Sequence, residues 1–263
     1  MLKIGKIKYL NVYPFYAGLN DSCNDKIFIE GEPSYLNRLL YNGEIDISPS
    51  SSFEYFVNSE KYFIVKSLSI SSLSEVLSVN LLLTNKIENL DNVDIYLSPA
   101  SATSNMLVKV IFKEFFKNRD INFKMLRQNQ LVEKNHLLIG DAALEAYFSK
   151  PEGFYIYDVA KIWFEFTKLP FVFALWMINK YRAEKVREEI NAFIDLLLRK
   201  KCSLVLPSKY KQFGSAEIKK YFEVIDYNLT DKHIDSLNLF GKLLYKHRII
   251  SSLPRFYWWE NNC

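Results

Sequence analysis

The spacing of apolar positions changes along the chain, and each change marks an element. "LKIGKIKYL" puts Leu2 and Ile4 on an apolar face, with Ile7 and Tyr9 partly in step, which predicts a first strand. "YPFYAGL" follows, and Pro14 suits the first turn of a helix. "KIFIEGEP" reads as a second strand that ends at Gly31 and Pro33. In "PSYLNRLLYNG", Leu36, Leu39 and Leu40 share one helical face and Gly43 is a natural stop. "EIDIS" predicts a short buried strand, and "SSFEYFVNS" a capped helix after a serine-rich loop. Such alternation argues for a mostly parallel sheet.

The style then changes. "YFIVKSLSISSLSEVLSVNLLLTN" alternates apolar and polar residues, as an antiparallel pair or a crossing strand would. Strand–helix units resume with "VDIYLSP", "SATSNMLVKVIFKEFFKN", "INFKML", "HLLIGDAALEAYF" and "FYIYDVAKIWFEFTK", before the apolar strand "LPFVFALWMIN". The last part is helical. Val186, Ile190, Phe193, Ile194 and Leu197 form one stripe, and Thr230 with Asp231 can cap a helix carrying Ile234, Leu237 and Leu244. The expectation is an α/β chain of two strand–helix lobes joined by two extended crossings. Residues 1–80 with 179–263 would form one lobe and 81–178 the other. A ligand would sit between them, against the strand-to-helix loops.

Composition narrows the function. Of 263 residues, 49% are apolar and 24% charged, enough for a core without metals or disulfides. The net charge of +4 comes from 34 basic and 30 acidic residues spread along the chain, which argues against a nucleic-acid-binding face. Cys23, Cys202 and Cys263 are odd in number and make no C-x-x-C pair, so a reducing compartment is expected. "MLKIGKIKYL" has no apolar signal core, and the run "LPFVFALWMI" is about half the ~20 residues of a membrane helix. A cytoplasmic protein with no membrane partner follows. His136, His233 and His247 are far apart, and no metal, phosphate-loop or dinucleotide motif occurs, so neither metal nor cofactor is expected.

What recurs is a hydroxyl or amide at the strand-end position of successive units. These are Asn11, Ser50 to Ser52, Ser78, Ser98, Ser101, Thr103, Ser104 and the "GDAAL" turn of Gly140, Asp141 and Ala142. Each alone suits a helix cap. Together they would gather neutral donors and helix N-termini around an anion.

The same segments carry a resemblance. "YLNVYPF", "GEIDISPSSSFEYF", "VLSVNLL", "SATS", "IGDAAL", "YDVAKIWFEFTKLPFVFALW" and "YNLTDKHIDSLNLFGKLLYKHRII" stand in the order found in the chorismate dehydratases of the futalosine route to menaquinone. The second resembles that family's G-x-x-D-x-x-x-x-S-S-I-E-Y. The chain departs from the family at Val12 and Tyr13, where Thr-Arg is frequent, and at Lys168, Ser236 and Arg248, where glycine is common. The resemblance implies a type II periplasmic-binding-protein fold and a lyase that removes water from chorismate, giving 3-[(1-carboxyvinyl)oxy]benzoate. No His or Glu in the matched motifs is an obvious base, so the expectation is that the substrate's enolpyruvyl carboxylate takes the ring proton, with Asp141 as a rival base, and that Asn11 and Ser78 hold that carboxylate and the leaving hydroxyl. Ser51, Ser52, Ser101, Thr103 and Ser104, with the backbone of Gly140 to Ala142, would grip the other carboxylate. A non-catalytic small-anion receptor and a ligand-sensing module are the alternatives, and oligomeric state is left open.

Overall fold

The computed structural model describes residues 1–17, 25–117, 120–126, 134–199, 210 and 212–260. Cys23, Cys202 and Cys263 lie outside these described residues. Twelve strands are present among them: β1 Leu2–Ile7, β2 Lys26–Gly31, β3 Ile47–Ser51, β4 Tyr62–Ser72, β5 Val79–Leu83, β6 Val93–Leu97, β7 Ile121–Met125, β8 His136–Ile139, β9 Tyr155–Asp158, β10 Phe171–Asn179, β11 Ile225–Asp226 and β12 Trp258–Trp259. They form two sheets. The first has the order β11-β4-β10-β3-β1-β2, with β12 also on β4, and the second β7-β6-β8-β5-β9.

Parallel pairing holds where strands and helices alternate, between β1 and its neighbours β2 and β3. It holds again between β6 and its neighbours β7 and β8, but the pairs of β5, β10 and β11 are antiparallel, because the chain leaves the first sheet after β4, builds the second, and returns as β10. That return strand enters antiparallel between β3 and β4. The sheets are therefore mixed, not mostly parallel as the alternation alone suggested.

A second difference concerns "EIDIS" and the serines after it. The strand is Ile47–Ser51, buried throughout, so the serine-rich segment is itself β3. Small hydroxyl side chains are accepted here because the neighbouring backbone approaches closely. A Cβ on Gly5 would lie 2.7 Å from the Ser48 Cβ. Asp46 of the same motif is fully buried. It accepts from the Lys3 N–H at 2.8 Å and pairs with Arg182 Nε at 2.9 Å, which locks the starts of β1 and β3 to the end of β10. It carries no part of the cleft wall described below.

Helices cover both sheets. Leu36, Leu39 and Leu40 of the helix Pro33–Tyr41 are buried, as are Ile190, Phe193, Ile194 and Leu197 of the helix Arg187–Arg199. The C-terminal helix Asp231–Lys246 joins the two halves through its aromatic Phe240. That ring lies 5.1 Å from Phe171 of β10 and 6.0 Å from Trp163 of the helix Val159–Thr167. Edge-to-face pairs of this kind add about 0.5–1.5 kcal/mol each to the burial of the rings. Trp163 Nε1 also donates to Ser236 Oγ at 3.1 Å, a packing role for one departure from the family pattern. Lys168 and Arg248, the other two positions where the family commonly has glycine, have φ of 62° and 55°, the left-handed region that favours glycine.

Candidate active site

The tips of β1, β3 and β8, the start of β5, the middle of β10 and the N-terminus of the helix Ala102–Glu114 meet at one cleft. It is a narrow cleft, with a cavity volume of about 50 Å³, that opens to solvent. Ile7, Pro33, Ile70, Val76, Val79, Ile139 and Phe173 make the apolar wall. Asn11, Ser51, Ser78, Ser101, Ser104 and Gly140 bring polar groups to the same space, and Tyr9 lines it as well. A largely apolar wall with a few convergent polar groups is what a small-molecule site requires. All of these lining side chains are uncharged.

Asn11 answers its own ambiguity. It sits inside the 3₁₀ turn Leu10–Val12, and the caps of the adjoining turns are Tyr9 and Val12, so its side chain caps no helix. Its backbone carbonyl accepts from the Tyr227 hydroxyl at 2.8 Å, which anchors the tip of β1. Its Oδ1 is buried and has no hydrogen-bond partner among the described residues. Leaving a buried polar atom unpaired costs about 1–3 kcal/mol, so an orphan lining a cleft marks a place for a ligand group. Val12 is buried, and Tyr13 sets its ring edge-on to Tyr210, so the arginine frequent in the family at this place has no counterpart here.

Ser78 stands on a strained turn held from three sides. Leu77 has a φ of 60°, unfavourable for a branched residue. The buried Asp158 carboxylate accepts the N–H groups of Val76 at 2.8 Å and Leu77 at 2.7 Å through Oδ2. Through Oδ1 it caps its own helix, accepting from Ala160 and Lys161. Asn80 Nδ2 donates to the Leu77 carbonyl at 2.6 Å. The Ser78 carbonyl in turn accepts the Gly140 N–H at 2.8 Å. Burial pushes the Asp158 carboxyl up to about 6, with the four N–H donors pulling the other way. The Ser78 hydroxyl accepts from Tyr221 at 2.8 Å.

Gly140 has φ 66° and ψ −144°, a conformation essentially confined to glycine. An added Cβ would meet the Tyr9 ring at 2.8 Å. Burial, followed by Glu32 and Asp141, holds the Tyr9 phenol well above its ordinary pKa, so it stays a donor. Gly140, not Asp141, is the residue before the helix Asp141–Ser149. Asp141 Oδ1 accepts the Leu10 N–H at 3.0 Å and so ties the β1 tip to that helix. Ala142 is exposed.

The remaining hydroxyls divide. Ser101 caps the helix Ala102–Glu114, accepting the Ser104 N–H at 3.3 Å, and its Oγ lies 2.9 Å from Ser104 Oγ at the cleft. Thr103, one residue before, faces the first sheet. Its Oγ1 accepts the Phe53 N–H at 3.1 Å and lies 2.5 Å from Ser51 Oγ and 3.3 Å from Ser52 Oγ. Ser52 also donates to the Val172 carbonyl at 2.8 Å. Thr103 and Ser52 are thus buried in a polar clasp behind the wall, and Thr103 caps the helix Ser52–Asn58 from another segment. The helix itself carries no side-chain cap at Ser51. Tyr9 lines the cleft, and Asp158, Tyr221 and Tyr227 hold the segments that reach it; all four are absent from the hydroxyl pattern of the sequence. Asp158 was readable as a cap before "VAKIW", but its grip on residues 76 and 77 was not.

The model of a family described as "Menaquinone biosynthesis" matches residues 2–246. The chain belongs to this menaquinone-biosynthesis family. Within it, a chorismate dehydratase of Thermus thermophilus is 32% identical over 196 residues, 67% of this chain and 69% of that one. A chorismate dehydratase of Campylobacter jejuni is 32% identical over 176 residues, 65% of this chain and 64% of that one. Among solved structures, a protein from Archaeoglobus fulgidus has a TM-score of 0.67 at 17% identity, over 95% of this chain and 98% of that one. The periplasmic aliphatic sulphonate binding protein SsuA of Escherichia coli has a TM-score of 0.58 at 14% identity, over 100% and 94%. These likenesses give the menaquinone-biosynthesis family member the periplasmic-binding-protein fold. Among the described residues, no helix is long and apolar enough to cross a membrane.

Proposed function

We propose that this family member is a chorismate dehydratase working in the cytoplasm, a hydro-lyase that converts chorismate to 3-[(1-carboxyvinyl)oxy]benzoate. The supporting observation is a cleft in which the Asn11 amide, with its buried Oδ1 an unpaired acceptor suited to a substrate hydroxyl, stands with the Ser78 hydroxyl and the Ser101 cap. The 32%-identical relatives that bear that name give the reading its chemistry. Substrate would lie between a lobe built on the first sheet, which includes β10, and a lobe built on the second, which begins at β5.

The reaction breaks one ring C–H bond and one C–OH bond, and the ring becomes aromatic as water leaves. Aromatisation supplies the driving force, so the protein's part is to orient the substrate and stabilise charge. Uncharged donors suit that task. The substrate's enolpyruvyl carboxylate takes the ring proton, held by the Asn11 Nδ2 and Ser78 hydroxyl donors while Asn11 Oδ1 accepts from the substrate's hydroxyl, and the proton joins the departing hydroxide. Ser101 and Ser104 receive the second carboxylate at the positive end of the helix Ala102–Glu114. Asp141, which accepts from the Leu10 N–H, is not used as the base.

Purified protein mixed with chorismate should abolish the diene absorbance and yield the aromatic product. Binding without consumption would make the protein a receptor and reject the proposal. Asn11→Ala should lower turnover by ~10²-fold, as for loss of one transition-state hydrogen-bonding group. Its melting temperature should stay close to wild type, because Oδ1 has no protein bond to lose.

A further inference from the structure

We infer that Tyr221 is a positioning residue that sets the direction of the Ser78 hydroxyl proton; this rests on the role proposed for Ser78. Tyr221 comes from the helix Ser215–Val224, which leads into β11 of the first sheet, whereas Ser78 precedes β5 of the second. The two hydroxyls meet at 2.8 Å, with Tyr221 almost fully buried. A phenol is the better donor of the two and an alkyl hydroxyl the better acceptor, so the shared proton is Tyr221's. Burial pushes the phenol well above its ordinary pKa and so favours its protonated form. A serine hydroxyl has one proton and two lone pairs. With one lone pair taken by Tyr221, the Ser78 proton remains for an acceptor in the cleft.

The backbone around Ser78 removes the other freedom. Its N–H is engaged by the Val76 carbonyl at 2.7 Å and its own carbonyl by the Gly140 N–H at 2.8 Å, so the residue cannot swing to follow a lost partner. Without Tyr221 the hydroxyl would still be present but free to turn. The loss would fall on the step in which Ser78 donates, not on the fold.

The test is a cycle of Tyr221→Phe, Ser78→Ala and the double variant, read on kcat and KM for chorismate and on chorismate affinity by calorimetry. Tyr221→Phe should lower kcat roughly ten-fold with KM changed less than about two-fold, the loss expected for one neutral hydrogen bond. In the Ser78→Ala background the same change should do nothing further, because groups acting as a unit are not additive. An equal ten-fold loss in both backgrounds, or wild-type kcat in Tyr221→Phe beside an impaired Ser78→Ala, overturns the inference and leaves the role of Ser78 intact. Full turnover in Ser78→Ala overturns both. If wild type binds chorismate without consuming it, the cycle is decided on affinity: additive losses overturn the inference and non-additive ones support it. Absence of both turnover and binding overturns it with the function.

Discussion

Gly140→Ala tests the local geometry of the cleft most sharply. At φ 66° and ψ −144° the alanine would occupy a region that costs about 1–3 kcal/mol for a residue with a Cβ. The new methyl would also lie 2.8 Å from Cδ1 and 2.9 Å from Cε1 of Tyr9. Those are atoms of a rigid ring and not the end of a flexible side chain, so the ring must shift. Overpacking of this kind adds about 1–3 kcal/mol. The sum, about 2–6 kcal/mol, is a large share of the 5–15 kcal/mol typical of a whole domain. At roughly 2–4 °C per kcal/mol for a chain of this size, melting should fall by about 10 °C. Turnover should fall too, since Tyr9 lines the same space. Adding Tyr9→Ala removes the steric share and leaves the backbone share, so the double variant should be more stable than the two single losses predict. A Gly140→Ala protein melting within about 2 °C of wild type would refute the argument. So would losses that simply add, because they would mean that the methyl and the ring never meet.

Other consequences follow from the same contacts. Thr103→Val keeps the shape but strands the Phe53 N–H and Ser51 Oγ, and should lose about 2–4 kcal/mol in urea unfolding, with Thr103→Ser recovering most of it. Ser101→Ala removes both a cap and a cleft hydroxyl, so it should lower melting, by about 1 kcal/mol of stability, and also weaken chorismate binding; melting alone would mean that Ser101 only caps. Asp158 titrates near 6 in the fold and near 3.9 when unfolded, so the native state holds the extra proton between these values. Stability therefore falls as pH rises from about 4 to 6, by about 3 kcal/mol, and then levels off. Measured against Asp158→Asn, the wild-type advantage should shrink across that window, and a flat difference would show that burial does not dominate. Lys168→Gly relieves a left-handed residue and should raise stability by up to about 1 kcal/mol, seen as a small rise in melting temperature.

The sequence by itself determined the elements whose side-chain spacing is periodic. The stripes of Leu36, Leu39 and Leu40 and of Ile190, Phe193, Ile194 and Leu197 were legible because one face of each helix must be apolar. The strand tips bearing Asn11, Ser51, Ser101 and Gly140 were legible too, since strand-to-helix loops end in hydroxyls, amides and glycines for local reasons. The family motifs could be read directly, and the family model matches residues 2–246. Tertiary structure alone decided which hydroxyl faces the cleft. Ser101, Thr103 and Ser104 occupy one turn, yet Ser101 and Ser104 line the cleft while Thr103 points to Ser51 and Phe53. It also decided that β10 runs between β3 and β4, that serines can form a buried strand, and that Asp158, Tyr221 and Tyr227 hold residues some 80, 140 and 220 positions away. Such bonds leave no local mark, because a hydrogen bond constrains distance in space and not separation along the chain.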